Sequence, residues 1–98
     1  MPADTDRDRQ AFALRCAGRS FGAIATELGY DNAPAATVAF LTVLRAEPDD
    51  VRQSARHDEH VRLDTLEAHV RNDTTLDASA MQRRLAVVDR MRKDLDSE

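Results

Sequence analysis

Residues 18–32, "GRSFGAIATELGYDN", place a small residue, Ala25, and a glycine, Gly29, one helical turn apart inside an apolar helical pattern. A glycine at that point supplies the left-handed backbone that stops a helix, and the small side chain before it lets a following helix cross closely. Ser20 is a natural N-cap for this helix, in which Phe21, Ile24 and Leu28 recur at helical spacing with Ala25 beside them. "YDNAP" then carries turn chemistry. Pro34 suits the first turn of the next helix, because it has no donor to lose there.

The rest of the chain extends this helical punctuation. Segment 4–17 opens with acids suited to a helix N-terminus, and Gly18 ends it. The third helix is expected over about residues 34–45, burying some combination of Ala36, Val38, Ala39, Phe40, Val43 and Leu44. Pro48 ends it by pushing Glu47 out of helical geometry, and also opens a fourth helix whose dipole Asp49 and Asp50 complement. The stripe Val51, Ala55, Leu63, Leu66, Val70 carries that helix to about Asn72, with a polar gap at "RHDEH". "NDTT" at 72–75 is the next break, with Thr75 or Asp77 as cap of a fifth helix. Met81, Leu85, Val88, Met91 and Leu95 line one side of this helix, and Arg83, Arg84, Arg90 and Lys93 lie elsewhere. Asp58 with Arg62, Glu67 with Arg71, and Asp89 with Lys93 fall at i,i+4 with the acid first, the better orientation. The expected fold is all-α: a tri-helical helix-turn-helix head over residues 1–46, followed by a two-helix hairpin over residues 47–98. Aromatics at 4% and the absence of Trp agree, since a core of Ala, Leu, Val and Ile favours helix packing.

Charge and composition narrow the function. Residues 1–46 are formally neutral and residues 47–98 carry the whole excess of −4, which argues against coating nucleic acid or an anionic membrane by bulk electrostatics. A single cysteine excludes an intrachain disulfide and a Cys-rich zinc site, and the apolar neighbours of Cys16 predict a small buried thiol. "MPADTDRDRQ" has no apolar core of a signal peptide, and no stretch approaches the ~18 apolar residues of a membrane span, so the expectation is a cytoplasmic chain with no membrane partner. His57, His60 and Asp64 fall near one helical face, yet lack a fixed fourth ligand and the zinc-protease spacing; they are expected to be solvated, with no metal. Asp4, Asp6 and Asp8 lack the glycine and distal glutamate of a calcium loop, and read as a frayed or capping segment. No nucleophile elbow or phosphate-binding glycine loop is present, so neither enzyme activity nor a cofactor is expected.

Residues 11–45, "AFALRCAGRSFGAIATELGYDNAPAATVAFLTVLR", resemble the N-terminal head of the helix-turn-helix proteins of actinobacteria and their phages related to terminase small subunits. Leu14, Arg15, Gly18, Phe21, Ile24, Ala25, Leu28, Gly29 and Tyr30 carry the likeness, and "RLDTLEAHV" at 62–70 and "LDASAMQRRLAVVDRMRKDL" at 76–95 are similar to the central helices of those proteins. The resemblance implies a head that binds double-stranded DNA, joined to a helical oligomerisation element, acting in viral packaging or in regulation. The chain departs from the pattern in the reading helix, where Ala33, Ala35, Ala36, Thr37, Val38 and Ala39 stand and Arg45 is the sole base. Phosphate contacts are therefore expected from Arg15, Arg19 and Arg45, and base contacts from Asn32 and Thr37. A homo-oligomer is expected through Leu63, Leu66, Val70, Met81, Leu85, Val88, Met91 and Leu95. The alternative is a helical adaptor whose third helix, rich in Ala and holding Phe40, docks onto a protein.

Overall fold

Ser20 and Gly29 bracket the second helix in the computed structural model, which describes residues 2–97, with side chains described from Thr5 onward. Five helices follow one another: α1 (Pro2–Cys16), α2 (Phe21–Leu28), α3 (Ala33–Ala46), α4 (Asp49–Arg71) and α5 (Ala78–Asp96). Among the described residues there is no strand, so the chain is all-α.

The helix ends follow from local chemistry. Ser20 sits in extended backbone and its Oγ accepts from the Ala23 N–H at 3.1 Å, while Gly29 takes φ 79° and the N–H groups of Gly29 and Tyr30 both donate to the Ala25 carbonyl at 2.9 Å. The left-handed turn lets both N–H groups close on that one carbonyl at the helix end. Asn32 Oδ1 accepts from the Ala35 N–H at 2.9 Å, with Pro34 in the first turn of α3, and Glu47 leaves helical geometry ahead of Pro48. Of the two candidate caps for α5, Asp77 performs the role, accepting from the Ala80 N–H at 2.7 Å. Thr75 instead donates its hydroxyl to Asp73 Oδ1 at 2.6 Å and its N–H to the same oxygen at 2.9 Å, which holds the Asp73 carboxyl below its ordinary range.

By internal contact the chain forms two compact units, Met1–Ala55 and Arg56–Glu98, so α4 begins in one and ends in the other. In the first unit α3 packs on both α1 and α2. All three phenylalanines meet there: Phe40 stacks on Phe12 with centroids 5.3 Å apart and takes Phe21 edge-on at 5.6 Å. Ile24, Ala36, Leu44 and Ala11 are fully buried around them, and Ala25 and Ala39 are the small buried residues of α2 and α3. Val38 and Val43 depart from the expected core, Val38 being 63% exposed and Val43 half-buried, because Ala36, Phe40 and Leu44 define the inward arc. Cys16 is exposed rather than buried, since it lies outside the arc of α1 marked by Asp8, Ala11 and Arg15. Asp8 is an anchor, not part of a frayed end. It accepts a 2.6 Å hydrogen bond from the Tyr30 hydroxyl, and the Arg7 guanidinium lies 4.3 Å from the Tyr30 ring centroid, tying α1 to the turn between α2 and α3.

In the second unit, α4 and α5 are joined by polar pairs. Arg56 Nε donates to the Leu95 carbonyl at 3.1 Å, His60 Nε2 lies 2.7 Å from Asp96 Oδ1, and Arg92 reaches Asp64 at 2.8 Å and Glu67 at 2.7 Å. Arg56 and His60 meet the end of α5, and Asp64 and Glu67, further along α4, meet the earlier Arg92, so the two run in opposite directions. Leu63, Val70, Val88 and Leu95 are buried within this one chain, Met81, Leu85 and Met91 are half-buried, and Leu66 stays 41% exposed. Glu59, from the polar gap, is only 5% exposed and is held by Arg62. Arg62 thus takes an acid three residues back rather than Asp58, and Asp89 lies 3.6 Å from Arg92 rather than pairing with Lys93. Glu67 and Arg71 pair as expected, at 2.8 Å. Hydrogen bonds from Arg71 and Arg92 hold the Glu67 carboxyl below its ordinary range.

Candidate nucleic-acid interface

A helix that enters the major groove must turn donors and acceptors toward base edges from the side that does not pack on its own unit. On α3 that side is the arc Pro34, Val38, Thr42 and Arg45, all exposed and recurring at three- and four-residue spacing. Its chemistry is mostly apolar. The Thr42 hydroxyl is already donated to the Val38 carbonyl at 2.8 Å, so Arg45, in the last turn, is the one charged group on the arc.

The remaining expected contacts lie in different places. Asn32 caps the start of α3 with its carbonyl oxygen, and Thr37 is half-buried and donates to the Ala33 carbonyl at 3.0 Å. Arg15 spreads over the Phe21 ring with its guanidinium 4.0 Å from the centroid, and its Nη1 donates to the Arg19 carbonyl at 3.0 Å. Arg19 in turn bridges to Glu27 at 2.9 Å. The structure therefore brings Arg15 and Arg19 together at the start of α2, while Asn32 and Arg45 stand at opposite ends of α3, about 20 Å apart along its axis. These five residues do not form one patch. Over residues 1–55 acids outnumber bases, eight to six, and a cleft of about 400 Å³ beside Arg9 is also lined by Asp8 and Glu47.

No family model, curated protein or solved structure matches the chain. No helix among the described residues is long and apolar enough to cross a membrane. No group of three or more His, Cys, Asp or Glu among them is placed to hold a metal ion, and His60 is engaged with Asp96.

Three features of the site were missed in the sequence: the Asp8–Tyr30–Arg7 clasp, the exposure of Val38 and the stacking of Arg15 on Phe21. Tyr30 belongs to the Leu-Gly-Tyr run that carried the resemblance, but a partner 22 residues away has no local signature.

Proposed function

We propose that this chain is a non-enzymatic helix-turn-helix protein that binds duplex DNA through its first unit, in a packaging-like or regulatory role. The observation that supports this is the junction of α2 and α3: Ala25 buried, Gly29 left-handed, and α3 seated on both α1 and α2. A tri-helical DNA-binding head needs that crossing to present its third helix. Binding is led by phosphate contacts and is weakly selective for sequence, because the outward arc of α3 offers methyl groups to thymine and Arg45 to phosphate but few groups that read base edges. Self-association through the second unit belongs to the same proposal. It must use Leu66 and the half-buried Met81, Leu85 and Met91, since Leu63, Val70, Val88 and Leu95 are already covered.

One observation favours a second reading, that of a protein adaptor: Val38, with Pro34 and Thr42, is an apolar surface suited to another protein's side chains. Anisotropy of a labelled duplex over a salt series separates the two. The DNA reading expects affinity that falls steeply with salt, and a loss of about tenfold or more in Arg45→Glu at low salt. Absence of duplex affinity at low salt, with Val38→Glu abolishing capture of a protein partner, would replace it with the adaptor.

A further inference from the structure

Most arginines of this chain are engaged. Arg19, Arg52, Arg62, Arg71 and Arg92 bridge to acids, Arg7 and Arg15 lie over aromatic rings, and Arg56 donates to a carbonyl. Apart from Arg92, the bases of α5 are different. Arg83, Arg90 and Lys93 are exposed and have no acid partner among the described residues; Arg83 donates only to the neutral Ser79 hydroxyl, at 2.9 Å. Arg84, also on α5, lies close enough to Asp73 to lower its pKa and sits off this arc.

At 100° per residue, positions 83, 90 and 93 fall within one arc of the helix, opposite Val88 and Leu95, which are buried. Arg83 and Lys93 are about 15 Å apart along the axis. Between them stand the short, exposed side chains of Ala86 and Val87, which leave room for a rod-shaped partner to come close. Asp94 borders the arc, and Asp89 is turned toward Arg92. The net effect is a narrow cationic ridge on an acidic protein.

We infer that the outward face of α5, through Arg83, Arg90 and Lys93, is a binding surface for the phosphate backbone of nucleic acid, independent of base sequence. Charge complementarity selects the partner: three exposed cations spaced along one helix, with no acid partner among the described residues, match a linear polyanion, which releases counterions when they bind. The inference goes beyond the proposal for the head and shares with it only the class of partner. It assigns a second contact surface, on the second unit, where the head reading places none.

The experiment measures duplex affinity of the full chain over a salt series for the parent, for the triple variant Arg83→Gln, Arg90→Gln, Lys93→Gln, and for Arg45→Glu. Since the three α5 side chains bridge to no acid among the described residues, the triple variant is expected to keep its helix content by circular dichroism. The slope of log affinity on log salt should become shallower by about 2.7, three phosphate contacts at about 0.9 each. Asp94→Asn should tighten binding. An unchanged slope in the triple variant, with binding lost in Arg45→Glu, overturns this inference and leaves the head reading standing. A slope lost in the triple variant, with Arg45→Glu unaffected, supports this inference and removes the head as the contact surface. A parent that binds anionic phospholipid vesicles but no duplex overturns it as well.

Discussion

Tyr30 is gripped by groups of different chemistry, and its ionisation reports on all of them. Burial pushes the phenol up first, the hydrogen bond to Asp8 and the charge of that carboxylate push it further, and Arg7 pulls it partly back, leaving a pKa of about 12. A free tyrosine titrates near ~10. Because the folded value is the raised one, the clasp contributes stability that is fully present below about pH 10 and is lost as pH rises through about 12. The chain has one tyrosine and no tryptophan, so the ultraviolet absorbance of its phenolate follows this residue alone. The native protein is expected to show a midpoint of about 12, with helicity recorded in parallel to separate ionisation from unfolding. Asp8→Asn should lower that midpoint, leaving burial opposed by Arg7. A native midpoint near ~10 would mean that α1 does not hold the turn in this way.

At the scale of the elements, what the sequence made legible was punctuation. Ser20, Gly29, Pro34, Pro48 and Asp77 act within four residues of themselves, so helix boundaries could be read from them to within a residue or two. What escaped was set by neighbours distant in sequence or by small differences of angle. That Asn32 also caps α3 was not foreseen, and Arg62 chose Glu59 over Asp58 because an arginine can reach either three or four residues back. The stripe on α4 and α5 was correctly seen as apolar. That one chain buries Leu63, Val70, Val88 and Leu95 depended on packing, which no stripe specifies by itself. The two glycines flanking the centre of α2 test the local part of this logic, since their substitutions should act with opposite signs. Gly22 has ordinary helical backbone and open space where a Cβ would go, so Gly22→Ala is expected to raise stability by about 0.5–1 kcal/mol. Gly29 also has open space, but at φ 79° an alanine costs about 1–2 kcal/mol. Chemical denaturation of both variants measures the difference, and a stabilising Gly29→Ala would show that the turn is not left-handed.

For the whole molecule, the two units are unequally built, and that inequality bears on self-association. The first unit sets two further phenylalanines against Phe40 and buries Ile24 and Leu44, whereas the second buries chiefly Leu63, Val70, Val88 and Leu95. Two helices around so few side chains have little to oppose the entropy of ordering them, so the amides of α5 should open at lower free energy than those of α3. Hydrogen exchange of the dilute protein is expected to show this order, with α3 the last to exchange. A second copy that covers Leu66 and the half-buried methionines would bind only the folded second unit, and by mass action protection of α5 would then rise with protein concentration while that of α3 stays where it was. Leu66→Glu should abolish the concentration dependence without changing the dilute-limit protection of α5, because Leu66 is exposed in the single chain. If α5 exchanges at the same rate across the whole concentration range, self-association leaves the proposal. Any joint binding of DNA by several heads would then have to be replaced by contacts within one chain, to which the α5 ridge would contribute Arg83, Arg90 and Lys93.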